Sequence, residues 1–183
     1  MSFYRSGYNL YLLAAALCLL ALGCAGAHLG SPFHHEKKQI ALLRVHVESE
    51  SSAAGSTKTI SVLQSQPVAV NIAADPVLTE ADVISARLLD SPGGFAVELK
   101  FEETAGWRLE QCTAVNPGKH LAIFAQWGEK PTDGRWLAAP LIIRRMAGGT
   151  LLFTPDASHV EMEPWVKGLN DTAKKTASLK SKS

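Results

Sequence analysis

Ser91-Pro92-Gly93-Gly94-Phe95-Ala96-Val97-Glu98-Leu99-Lys100-Phe101 runs directly into Glu102-Glu103-Thr104-Ala105-Gly106-Trp107-Arg108-Leu109-Glu110-Gln111-Cys112-Thr113-Ala114-Val115-Asn116-Pro117-Gly118. In the first half, Phe95, Val97, Leu99 and Phe101 alternate with Ala96, Glu98 and Lys100. A period of two puts the first set on one face, which predicts a half-buried strand opened by the Pro-Gly-Gly turn. In the second half the period lengthens. Ala105, Leu109 and Cys112 share one face of a helix over 104–115, and Asn116-Pro117-Gly118 stops it. A strand and a helix with one apolar face each are expected to bury those faces in one core.

Upstream, Arg87 to Asp90 is expected to pair with the strand as a hairpin. Thr79-Glu80-Ala81-Asp82 has the pattern of a capped helix start, predicting a short helix to about Ser85. Leu43, Val45 and Val47 alternate with Arg44, His46 and Glu48, and Val68, Val70 and Ile72 alternate again. Thr59 to Leu63 reads as a short strand after the Ser-rich loop 48–58. Downstream, Leu121 to Trp127 and Trp136 to Ile143 form a second hairpin across Gly128–Arg135. Gly148-Gly149 turns into a strand at Thr150 to Phe153. A last helix covers Glu161 to Leu169, with Pro164 tolerated only in its first turn. The expected fold is α+β: a two-layer sandwich, mostly antiparallel sheet with helices on one face, in one domain over 40–171. Residues 172–183, with Lys174, Lys175, Lys180 and Lys182, are expected to be a disordered basic tail.

The N-terminus sets the compartment. The apolar run Leu10 to Leu22 is shorter than the roughly 18–20 residues a membrane-spanning helix needs, and one Arg (Arg5) precedes it. It reads as the core of a secretory signal over 1–23. Leu20-Ala21-Leu22-Gly23-Cys24 is a lipid-box pattern, which makes Cys24 the lipidated first residue and attaches the protein to a membrane. Ala25 after the cysteine favours the outer over the inner membrane. Ala25-Gly26-Ala27 is also an A-x-A site, and cleavage there would release a soluble protein. Residues 24–39, with Pro32 and His34-His35, read as a tether.

Composition removes several function classes. Arg5 is the one charge in the signal, so the mature chain carries 17 basic and 17 acidic residues. Such a balance gives no electrostatic footprint for nucleic acid. With Cys18 in the signal and Cys24 lipidated, Cys112 has no cysteine to pair with inside the domain and is expected to pack as a small hydrophobe. No nucleophile or metalloprotease motif occurs. Glu98, Glu102, Glu103 and Glu110 cluster in sequence, but Glu98 lies on the polar face of a strand and Glu102-Glu103 sit at a helix start, where acids favour the dipole. Glu161 and Glu163 are expected to be solvated. His120 and His159 have no partner visible in the sequence. The chain reads as non-catalytic, with no cofactor and no metal.

From Pro76 to Asn170 the order of elements carries a resemblance. It runs through Pro76-Val77-Leu78-Thr79-Glu80-Ala81-Asp82-Val83, Ala86, the strand 95–101, Gly106, Leu109-Glu110 and Thr113. It continues in Asn116-Pro117-Gly118-Lys119-His120-Leu121-Ala122-Ile123, Ala139-Pro140 and Gly148-Gly149. This series resembles the head subdomain of the first periplasmic domain of SecD/SecDF, the protein-export membrane proteins. The resemblance implies the fold and a role in contacting polypeptide or an envelope protein partner. It does not extend to a translocation motor, because the chain carries no membrane-spanning carboxylate for proton movement. The hairpin insert 127–136 and the strands of 40–73 depart from the head pattern. Trp107, Trp127, Trp136 and Trp165 are the candidates for a contact surface. Of these, Trp127 and Trp136 flank that insert with Arg135, making Trp127, Arg135 and Trp136 the candidate contact residues.

Overall fold

The computed structural model describes residues 40–50, 57–63, 67–128 and 134–181. The expected signal, the Cys24 lipid site, the 24–39 tether and the tip of the 127–136 insert lie outside the described residues. Among the described residues, nine strands and two helices follow in chain order: β1 (Ile40–Val47), β2 (Thr57–Val62), β3 (Val68–Ala73), β4 (Leu78–Thr79), a 3-10 turn (Glu80–Asp82), β5 (Val83–Ser91), β6 (Gly94–Phe101), α1 (Glu103–Val115), β7 (Leu121–Gly128), β8 (Gly134–Ala138), β9 (Thr150–Phe153) and α2 (His159–Lys180).

Every strand pairing is antiparallel. The strands divide into three sheets, ordered β4-β1-β7-β8, β2-β3 and β5-β6-β9. The alternation of β6 falls where expected: Val97, Leu99 and Phe101 are buried while Lys100 is exposed. Its partner β5 joins it through the Gly93-Gly94 turn, with Ser91 opposite Gly94.

The four-stranded sheet has a different core on each face. Leu43 and Val45 of β1, with Leu121, Ile123 and Ala125 of β7, face the main core. Both helices reach that core, through Ala105 and Leu109 of α1 and Met162, Trp165 and Leu169 of α2. On the opposite face, Ala122 packs against Ile60 and Val62 of β2 and Val70 and Ile72 of β3, with Trp136 alongside. The helices therefore serve one face, as expected, and the β2–β3 hairpin covers part of the other.

Three expectations are corrected. The helix from Thr79 is one 3-10 turn, not a helix to Ser85. The Thr79 N–H does donate to Asp82 Oδ2 (2.8 Å), but β5 starts at Val83 and pairs with β6. The strand expected to reach Ile143 ends at Ala138, ahead of Pro140. The last helix begins at His159 and continues through the region expected as a disordered tail, to Lys180. Its start is set by Ser158, whose side chain accepts from the Glu161 N–H while Glu161 reaches back to the Ser158 N–H (2.8 Å). Its second half makes one contact remote in sequence and two within the helix. Lys180 Nζ donates to Glu102 Oε2 (2.6 Å), and Thr172 and Thr176 hydroxyls donate to carbonyls one turn back.

Candidate functional site

Trp127 lies on β7 and Arg135 on β8, two strands paired with Ala125 opposite Arg135. The register brings the Arg135 guanidinium over the Trp127 ring, 5.2 Å from its centroid. Stacking of this kind uses the negative ring face and orders the long arginine stem. The same guanidinium donates from Nη2 to the Asp156 carbonyl (3.2 Å) and to Glu161 Oε1 (3.1 Å). Hydrogen bonds from Ser158, joined by the Arg135 charge, hold the Glu161 carboxyl below the usual carboxylate range. Arg135 thus clamps the start of α2 to the β7–β8 hairpin and is occupied within the molecule.

Trp136 does not join them. Adjacent residues of a strand point to opposite faces, and Trp136 turns toward the β2–β3 hairpin. There its ring meets His46 edge-on at 5.6 Å and Phe124 at 5.3 Å. The three expected contact residues are therefore split between the two faces of the four-stranded sheet.

Three of the four acids that cluster in sequence have individual partners. Glu98 pairs with Arg87, Glu102 with Lys180 and Glu110 with Arg145. The histidines without visible partners gain them: His120 Nδ1 lies 2.6 Å from Glu48 Oε2, and His159 Nδ1 3.0 Å from Glu163 Oε1. These pairs stand apart and do not converge on one point. Among the described residues, no three His, Cys, Asp or Glu side chains are grouped closely enough to hold a metal. Cys112 is half-buried on α1, and burial pushes its thiol up, the direction of an inert rather than a nucleophilic sulfur.

A second surface, marked in the sequence only by Trp107, lies along α1. Ala105 and Leu109 face inward. Trp107, 62% exposed, and Val115, 76% exposed, face outward. Beside them a groove of about 680 Å³ opens between α1 and the segment before β4, lined by Pro76, Val77, Arg108, Gln111, Cys112 and Val115. Arg108 at its wall is tied to Asp82, and Arg145 by Trp107 is tied to Glu110. The available signal was the spacing of Trp107, Gln111, Ala114 and Val115, which share the face away from Leu109.

No family model matches the chain, and no curated protein matches it. Solved structures do. One is described as a membrane component SecDF that enhances protein export. It superposes with a TM-score of 0.50 at 23% identity, covering 74% of this chain and 64% of that one. Another, SecDF in its super-membrane-facing form, gives a TM-score of 0.51 at 24% identity, covering 74% of this chain and 19% of that one. The match spans less than two thirds of the first SecDF chain and about a fifth of the second. The α+β domain is thus SecD-like in fold. That agrees with the resemblance drawn from residues 76–170. No helix among the described residues is long and apolar enough to cross a membrane.

Proposed function

We propose that this chain is a non-catalytic envelope protein, lipid-anchored through Cys24 at the outer membrane, whose SecD-like domain binds polypeptide on the periplasmic side. The observation that carries the reading is the shared fold with SecDF structures, one of which is described as enhancing protein export. Fold alone does not transmit function, so the surface must supply the rest. The outward face of α1 offers exposed Trp107 and Val115 beside an apolar groove, a composition suited to contacting unfolded chain.

The anchor and the binding role are tested separately. The mature chain is expected to begin at a diacylglyceryl-modified Cys24 by intact mass, whereas a chain starting at His28 would replace the anchor with soluble export. Pull-down with the full chain is expected to recover heterogeneous unfolded polypeptides, and binding should fall with Trp107→Ser. Recovery of one folded protein at fixed stoichiometry would instead identify an assembly domain of an envelope complex.

A further inference from the structure

The β2–β3 hairpin is joined to the rest of the domain by a narrow seam. Ser49 N–H donates to the Asn71 carbonyl (2.8 Å), Glu48 bridges Ile72, and His46 Nδ1 lies 2.8 Å from the Ala73 carbonyl. Apart from this seam, the hairpin rests on the small cluster of Ile60, Val62, Val70 and Ile72 against Ala122 and Trp136, separate from the main core. His46 sits at the junction of both. His46 is 8% exposed and lies opposite Ala122 in the β1–β7 register, and its ring meets Trp136 edge-on.

We propose that the β2–β3 hairpin is an acid-released flap, and that His46 is its latch. A carbonyl only accepts, so Nδ1 carries the proton in the docked state and Nε2 keeps its lone pair. Protonation would place a second N–H and a full charge on a buried ring against Trp136 and Ala122. The surrounding charges are mixed. Arg44 on β1 and Lys58 on β2 oppose a cation at His46, whereas Asp75, just past β3, favours one. Glu48 and His120 lie at the end of the same seam, tied to each other. β7 and β8 contribute Ala122 and Trp136. Burial is the largest influence and, with Arg44 and Lys58, it outweighs the Ala73 carbonyl and Asp75, so docked His46 is less basic than a free imidazole.

The direction follows from linkage. A histidine whose basicity is lowered in the docked state binds fewer protons there than when the hairpin is released. Docking is therefore complete above the free value of about 6.5. It weakens as pH falls from there toward the docked value, and release bares Trp136, Ala122 and the inner face of the hairpin.

Amide hydrogen exchange on the full chain at pH 7.5 and 5.5, corrected for intrinsic rates, tests this. The amides of β2 and β3 are expected to lose up to about tenfold in protection at pH 5.5, the effect of one pH unit below the free value, while β5 and β6 amides hold theirs. In His46→Asn, which keeps a donor toward Ala73 without titrating, hairpin protection is expected to be equal at both pH values. Unchanged protection in the wild type, or the same acid loss in His46→Asn, would overturn the proposal. Should His46→Asn fail to fold, NMR titration of the wild-type His46 ring decides: a midpoint below that of free histidine supports the latch, and one at or above it refutes it.

Discussion

Trp165 is the largest fully buried side chain in the molecule, and its indole Nε1 donates to the Leu42 carbonyl (3.1 Å). It joins α2 to β1 by packing and by a hydrogen bond that satisfies its polar atom in the core. Trp165→Ala is expected to cost about 3–5 kcal/mol of unfolding free energy, the range for removing a buried aromatic, read from urea denaturation with an unchanged slope. A loss below about 1 kcal/mol would mean the site collapses freely or is not core. Asn170 works at the same scale on a sheet edge. Its Oδ1 accepts from the Ala86 N–H and its Nδ2 donates to the Ala86 carbonyl, both at 2.9 Å, so one amide closes the outer edge of β5 as a neighbouring strand would. Neither role was legible in the sequence. Trp165 stood among four similar tryptophans, and the Asn170 contact spans 84 positions. The split of Arg135 from Trp136 was not legible either: the sequence placed Arg135 in the connecting loop, and only its pairing opposite Ala125 makes the two residues neighbours in one strand, on opposite faces.

At the scale of elements, α2 decides how the sheets are joined, because it packs on β5 of one sheet and on β1 and β7 of another. Its approach to β1 depends on Gly168, where an added Cβ would come within 2.6 Å of Ala41 Cβ. Gly168→Ala is therefore expected to destabilise by about 1–3 kcal/mol through overpacking, although alanine is the better helix former. Ala41→Gly in the same chain should recover a large part of that loss in thermal melts. If Gly168→Ala proved neutral or stabilising, the close packing of helix on strand would be wrong. The elements legible in advance include those whose periodicity coincides with their burial: β1, β3, β6, α1, β7 and β9. The second half of α2 was not legible. Lys174, Lys175 and Lys180 suggest a solvated tail by composition, and the Glu102 partner of Lys180 is supplied by the chain before α1.

For the molecule as a whole, one sheet with two dissimilar faces organises everything else. Helices and the main core occupy one face, and a lightly seamed hairpin occupies part of the other. The α+β class and the SecD-like order of elements from Pro76 to Asn170 could be read from the sequence, because turns and strand–helix handovers are local signals. The division into three sheets and the covering of the outer face by β2–β3 could not, because both depend on pairings between distant segments. The candidate surface moved for the same reason: the tryptophans of the insert turn to opposite faces, while α1 leaves Trp107 and Val115 outward. Binding of unfolded polypeptide by this SecD-like domain is the central claim. Its most direct test is fluorescence anisotropy of a labelled, reduced and carboxymethylated polypeptide titrated with the purified full chain. Saturable binding that is lost in the Trp107→Ser/Val115→Ser variant, with no binding of the same polypeptide when folded, is the expected result. A flat titration, or equal binding of the folded and unfolded forms, would contradict it.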